Sequence, residues 1–327
     1  MTLYRFISNN ILFKFDPEFI HDCMQVILSN KFAPYLTSLY STSNQHISKT
    51  YILGKELSSP LALAAGFDKN CSILQALDKL GFGYIVGGTV TIDPRPGNLK
   101  PRITRYVHNN SMVNSLGFPN LGVKKIMENL SKYDLKTPLI MSISGDSISD
   151  ITKLYKLLSD YCFGFEINIS SPNTAKLKYF HDYSNFENLI KNLNEIKGKP
   201  YMIKLPRFGI SNLDQKDKGI YEKYFKILSD NNVDGLVLSN TFPVENNLLK
   251  AGQGGLSGKP LYQNTKQLIS FANQFFNNKL DIVASGGIST TDEVKELLNS
   301  GAVGVQLWTS LIYEGPNLIK RINKELL

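Results

Sequence analysis

Cysteine, tryptophan and histidine are scarce in this chain, and it contains no long apolar run. Its 327 residues include three cysteines, one tryptophan and four histidines. Cys23, Cys71 and Cys162 stand at no paired spacing, which argues against a disulfide framework and a cysteine zinc site and suits a reducing compartment. No apolar stretch approaches the roughly 20 residues that a membrane-spanning helix needs. No secretory signal or Arg/Ser-rich transit peptide is recognisable, so a soluble protein or one lying on a membrane surface is expected. Low-complexity and disordered compositions are absent too: 42% of residues are hydrophobic and 20% charged, ordinary values for a globular chain.

The length suits one large α/β domain. The formal net charge of +8 fits an anionic substrate, a phosphate-bearing cofactor, an anionic membrane surface or nucleic acid. Lysine and arginine are dispersed rather than clustered, which weighs against nucleic acid as a partner.

Eight short apolar runs alternate with helix-length periodic segments from residue 61 onward: LALAAG, YIVGG, LIMSIS, FEINIS, YMIKLP, GLVLSN, DIVASGG and GVQLWTS. Near-continuous apolar runs are what strands buried on both faces of a parallel sheet look like. Their eightfold alternation with helices predicts the α/β class and a closed (β/α)8 TIM barrel, with an open doubly wound sheet as the alternative. Two inserts, 91–117 and 242–260, are too long for plain βα loops and are expected to carry function, the second as a Gly-rich lid.

Residues 1–45 lie outside this rhythm and read as a helical hairpin added to a barrel domain of residues 46–327. Asp16-Pro17 has the chemistry of a helix start, since aspartate caps and proline suits the first helical position. Phe15 and Ile20 flank it as a hydrophobic staple. Phe19, Ile20, Cys23, Met24, Ile27 and Leu28 form one apolar face, and Leu3, Phe6, Ile7 and Ile11 a second. Such stripes pack on the protein's own core or dip into a membrane interface.

Barrel enzymes build their sites at the C-terminal ends of the strands. Here those ends read AAGFDKN, GGTVT, SISGDS, NISSPN, KLPR, SNTF, SGGIS and WTS. Small, hydroxyl, amide and cationic side chains collect there, and no His or Cys cluster with metal-ligand spacing occurs, so a metal centre is not expected. Gly286-Gly287 after the seventh strand and Trp308-Thr309 after the eighth suit a phosphate held by backbone N–H groups. Lys204, inside an apolar strand, must snorkel or meet a negative group. Asn168, Ser171 and Asn173 crowd the fourth strand end, where two amides match the imide and amide groups of a pyrimidine. Taken alone, NISSPN reads equally as a capped turn and as a catalytic site.

Together these segments resemble the dihydroorotate dehydrogenases. AAGFDKN, GFGYIVGGTVT, PRPGNLKPRITR, NSLGFPNLGV, NISSPNT, GGLSGKPL and GAVGVQL stand in that family's order across nearly the whole chain. The resemblance implies FMN across the barrel mouth, lined by Ala65, Gly66, Thr89, Ser142, Asn168, Lys204, Ser239, Gly258, Gly287, Trp308 and Thr309. It implies dihydroorotate held by Lys69, Asn114, Gly117, Phe118, Asn168, Asn173, Asn240 and Thr241. Ser171 would take a proton from carbon 5 while hydride leaves carbon 6 for the flavin. A serine at this position, with the N-terminal helices, resembles the quinone-linked class, in which the helices form a greasy tunnel; His21 and Arg105 match positions near the quinone head group. A peripheral protein on the cytoplasmic face of the cell membrane is implied, with orotate as product in pyrimidine (UMP) synthesis.

Three departures from the quinone-class pattern stand out. Ser142-Ile143-Ser144-Gly145 is closer to the soluble class, Trp308 replaces the usual tyrosine, and Phe242 follows Asn240-Thr241 where a third hydroxyl is usual. The rival readings are the same reaction with fumarate, NAD or an iron–sulfur partner subunit, a flavin-dependent reductase of transfer-RNA uridine, and a non-catalytic phosphate-binding barrel.

Overall fold

The computed structural model describes residues 3–40, 49–170, 175–210 and 212–326. Eight strands close into a parallel barrel in chain order: β1 (Leu61–Leu63), β2 (Tyr84–Val90), β3 (Leu139–Ile143), β4 (Gly164–Asn168), β5 (Tyr201–Lys204), β6 (Gly235–Leu238), β7 (Asp281–Ser285) and β8 (Gly304–Leu307). Strand β8 pairs back onto β1, through Val305↔Leu61 to Leu307↔Leu63. Each strand grows from one of the eight apolar runs, and the (β/α)8 barrel expected from them is the fold observed.

The strands lack clean polar alternation because both of their faces are buried. In β4, Phe165 and Ile167 point outward into the shell between barrel and helices, whereas Glu166 and Asn168 point into the lumen. The lower lumen is apolar, filled by Ala62, Tyr84, Val86, Ile140, Met202, Val237 and Val283. Its floor is a hairpin, Thr50–Ile52 with Lys55–Leu57, that the sequence reading did not resolve. Leu53 and Gly54 at its turn both have positive φ, as a two-residue hairpin turn demands. The Leu53 amide donates to Asp281 Oδ2 at 2.6 Å, which anchors the plug to the foot of β7.

The two long inserts form one structure. Phe242–Glu245, Gln253–Gly258, Ser111–Asn114 and Ile103–Tyr106 pair in that order as an antiparallel sheet. A helix, Gly122–Leu130, then leads back to β3.

Ahead of the barrel come α1 (Leu3–Asn10), α2 (Pro17–Leu28) and α3 (Ala33–Ser38). Asp16 caps α2 by accepting from the Glu18 and Phe19 amides at 3.0 and 2.9 Å. Polar contacts dock the helices. Tyr4 Oη donates to the Ile312 carbonyl at 2.8 Å, Arg5 pairs with Glu314, and Gln25 Nε2 donates to the Phe67 carbonyl at 2.9 Å. Glu18 accepts from Arg102 Nη2 at 2.6 Å in a pair with little solvent access. The apolar stripes face partly outward: Phe6, Ile11, Phe19 and Ile27 are more than half exposed, as are Val26, Phe32 and Leu39 beside them, whereas Leu28 packs against the barrel's core. Among the described residues no helix is long and apolar enough to cross a membrane.

Candidate active site

A cavity opens at the C-terminal ends of the strands, roofed by the insert sheet. The loop after β1 contributes Ala65, Gly66 and Lys69, and the end of β2 contributes Thr89. Asn168, Lys204, Ser239, Asn240 and Thr241 follow from β4, β5 and β6. Gly286 and Gly287 lie after β7, with Trp308 and Thr309 after β8, and the insert sheet adds Asn114 and Gly258, with Gly117 and Phe118 just beyond it.

A directed hydrogen-bond chain crosses this mouth. Asn240 Nδ2 donates to Ser170 Oγ at 2.7 Å, and Ser170 Oγ donates to Asn168 Oδ1 at 2.7 Å. Asn168 Nδ2 donates to Thr89 Oγ1 at 3.0 Å, which leaves the Thr89 hydroxyl to donate to Ser142 Oγ at 2.9 Å. Ser142 in turn donates to Glu166 Oε1 at 3.3 Å. The chain therefore ends on a carboxylate, and this end sets which way each amide points. Lys204 Nζ reaches the same Oε1 at 3.3 Å, and Gln306 Nε2 donates to Glu166 Oε2 at 2.8 Å.

Arg207, just after β5, braces the far side. It donates to the carbonyls of Asn240 at 2.9 Å and Ser285 at 3.0 Å, and to Asn264 and Thr265. Burial pushes its guanidinium down to about 10. Gly286 and Gly287 have φ of +124° and +83°; a Cβ would run into Arg207 at the first and into the Tyr262 backbone at the second. Backbone conformation and packing against the protein thus require glycine at both positions, and the pair's backbone lines the cavity. Nearby, the buried Ser310 Oγ has no hydrogen-bond partner among the described residues. A buried hydroxyl without a partner is costly, and a phosphate oxygen is the acceptor such a donor suits.

Lys69 sits between this cavity and a second, polar one lined by Glu18, His21, Asp22, Gln25, Arg95 and Arg102. Its Nζ lies 3.3 Å from His21 Nε2. Burial, with the Lys69 charge beside it, pushes His21 down to about 3, so the ring is neutral and accepts from the ammonium. Lys69 itself is pushed down to about 8: loss of hydration outweighs the nearby Asp68 and Glu18 carboxylates. Asp68, behind it, accepts from the Ser72 and Ile73 amides, both at 2.9 Å, and shapes the loop that presents the lysine.

The residues singled out in the sequence are mostly brought together by this geometry, with five exceptions. Ser171 and Asn173 lie outside the described residues. Ser142 does not line the cavity but lies fully buried beneath Thr89. His21 faces the polar cavity, whereas Arg105 lies 4.7 Å from the Phe13 ring and donates to the Phe15 carbonyl. Sequence reasoning missed Glu166, Gln306, Arg207 and Ser310. Glu166 carried the signal already used for Lys204, a charge inside an apolar strand, and Arg207 stood in the KLPR strand end.

The dihydroorotate dehydrogenase family profile matches residues 47–327. The chain belongs to that family. It is 34% identical to the dihydroorotate dehydrogenase (quinone) of Christiangramia forsetii, covering 99% of both chains, and 34% identical to that of Coxiella burnetii, covering 98% of this chain and 95% of the relative. A ligand-free Eimeria tenella DHODH structure superposes with a TM-score of 0.83 at 26% identity, covering 95% of this chain and 94% of that one. Within the family the chain most resembles the quinone-linked class. Dihydroorotate oxidation by a flavin enzyme is the activity that membership assigns.

Proposed function

We propose that this dihydroorotate dehydrogenase uses FMN as its hydride acceptor and a membrane quinone as its final electron acceptor, making orotate for pyrimidine (UMP) synthesis. The observation that carries the flavin assignment is the glycine pair at 286–287 with the unpartnered Ser310 hydroxyl, beside a mouth into which Lys204 reaches from the strands. These groups fit a phosphate and a ring that gains negative charge. Bound there, the flavin supplies the redox chemistry, and the protein supplies orientation and electrostatics.

Gly287, Gly258, Thr309 and Ser310 would hold the phosphate side, with Ala65, Gly66, Thr89, Asn168, Lys204, Ser239 and Trp308 along the ring. Lys69 would bind the dihydroorotate carboxylate. Asn114, Asn168, Asn173, Asn240 and Thr241 would meet the edge of its ring, with Gly117 and Phe118 over it. Ser171 would accept the proton leaving carbon 5. Because the hydrogen-bond chain orients Asn168 and Asn240 before anything binds, little reorganisation accompanies docking.

Residues 1–45 form the acceptor side in this reading, and 46–327 the catalytic barrel. Helices that hold the barrel by polar contacts and turn Phe19, Val26 and Ile27 outward suit a protein resting on a bilayer and receiving a quinone from it. His21 and Arg105 would stand near the quinone path. The strand-three sequence from Ser142 to Gly145 favours the second reading, a soluble acceptor.

Stopped-flow absorbance separates the two. Dihydroorotate is expected to bleach the purified yellow protein, and only a short-chain quinone to restore it. Recovery with fumarate or NAD would replace the quinone with a soluble acceptor, and absence of bleaching would overturn the substrate.

A further inference from the structure

Glu166 is fully buried in the barrel lumen, at 0% exposure, and does not itself line the mouth cavity. Three other lumen side chains converge on it: Ser142 from β3, Lys204 from β5 and Gln306 from β8. Both carboxylate oxygens are engaged, Oε1 by Ser142 and Lys204 and Oε2 by Gln306. Because Gln306 Nε2 is committed to Glu166, its Oε1 faces Lys204 Nζ at 3.4 Å. Below this layer apolar side chains fill the lumen, together with Tyr84. A carboxylate there is strongly disfavoured unless it is paired and hydrogen-bonded. Stability alone gives little reason for it, since a well-packed apolar replacement for a buried ion pair is often neutral or stabilising.

Lys204, Gln306 and, through Ser142, Thr89 reach the cavity, and Glu166 acts through them. A lysine at the ring favours the negative charge that a flavin gains on reduction. A carboxylate 3.3 Å behind the ammonium cancels part of that field. We propose that Glu166 is a positioning residue that sets the flavin's reduction potential, by offsetting the Lys204 charge and by terminating the Thr89–Ser142 hydrogen-bond chain. The inference rests on the flavin site proposed above. It also accounts for Ser142, which serves as a donor to this carboxylate rather than as a cofactor contact.

The test is the midpoint potential of bound FMN, measured by equilibration with reference dyes in wild-type protein and in Glu166→Gln and Glu166→Asp. Glutamine keeps the shape and removes the charge; aspartate keeps the charge. Glu166→Gln, holding FMN at wild-type stoichiometry, is expected to favour the reduced flavin at least tenfold, an upward shift of about 30 mV for two electrons. Glu166→Asp is expected to recover most of the wild-type value. An unchanged or lower potential in Glu166→Gln overturns the inference, as does a shift of equal size in Glu166→Asp, since packing would then be the cause. Loss of FMN from Glu166→Gln alone would mark the residue as structural and overturn it too. Failure of the wild-type protein to bind FMN would instead strike the flavin assignment itself.

Discussion

If Lys69 holds the substrate carboxylate, product binding must follow the charge on that lysine. In water a lysine titrates near 10.4; here burial brings Lys69 down to about 8. Below that pH the ammonium is present and an orotate carboxylate meets a cation. Above it the free enzyme carries a neutral amine, so the Kd of orotate rises tenfold per pH unit. The rise ends where the charge-assisted hydrogen bond has been lost entirely, about 1.5–3 kcal/mol or roughly 10–150-fold. His21, held neutral with a pKa of about 3, adds no slope across this range.

Equilibrium dialysis of labelled orotate from about pH 6 to pH 10 would trace the curve without depending on turnover. Lys69→Met supplies the control, since it keeps most of the length of the side chain and removes the charge. Its Kd at neutral pH is expected to match the plateau that the wild type reaches in alkali, and to lack the wild-type step near pH 8. Parallel curves for the two proteins would refute the argument, because the pH dependence would then belong to another group.

Other expectations follow from the same geometry. Ser171→Ala is expected to bind FMN normally and to slow flavin reduction by dihydroorotate by several orders of magnitude; near-normal reduction would remove the serine as base. Deleting residues 1–45 should abolish turnover with a quinone, and spare it with an artificial acceptor that needs no greasy path. Quinone turnover that survives the deletion would exclude the helices from the acceptor side. Glu18→Gln leaves the Arg102 guanidinium with the Pro96 and Asn98 carbonyls but no carboxylate. Thermal unfolding should report a loss of about 3 kcal/mol, and an unaltered midpoint would show that the pair does not hold α2 to the barrel.

The barrel was legible because both faces of its strands are buried, leaving runs such as YMIKLP and GLVLSN that no amphipathic segment imitates. The strand ends were legible for a related reason: Asn168, Ser239 and Gly287 stand directly after apolar runs, where the fold itself puts reactive groups. Pairings between segments far apart in sequence were not. Ser111–Asn114 meets Gln253–Gly258 across more than a hundred residues, and no local pattern encodes that partner. The floor hairpin escaped because its strands are three residues each, too short for periodicity. Glu166 was passed over as one polar letter in an apolar run, although only a partner across the lumen could stabilise it there.

Helix α2 shows how a correct pattern can leave orientation open. Its apolar stripe could have faced the barrel, as such stripes do when a helix completes a core. Here the core is already closed by the barrel's own helices, and the surface offered to α2 is polar: the Arg102 guanidinium, the Lys69 ammonium and the Phe67 carbonyl. The side chains that satisfy those groups are Glu18, His21 and Gln25, spaced three and four residues apart and therefore on one helical face. Once that polar face turns inward, Phe19, Val26 and Ile27 are carried outward. The outward apolar surface thus follows from the demands of the active-site rim, and the helix that presents it also touches the lysine proposed to hold the substrate. A bilayer that covered the exposed apolar side chains would cost the barrel none of its own contacts, so a docked but unburied helix would suit the membrane acceptor proposed above.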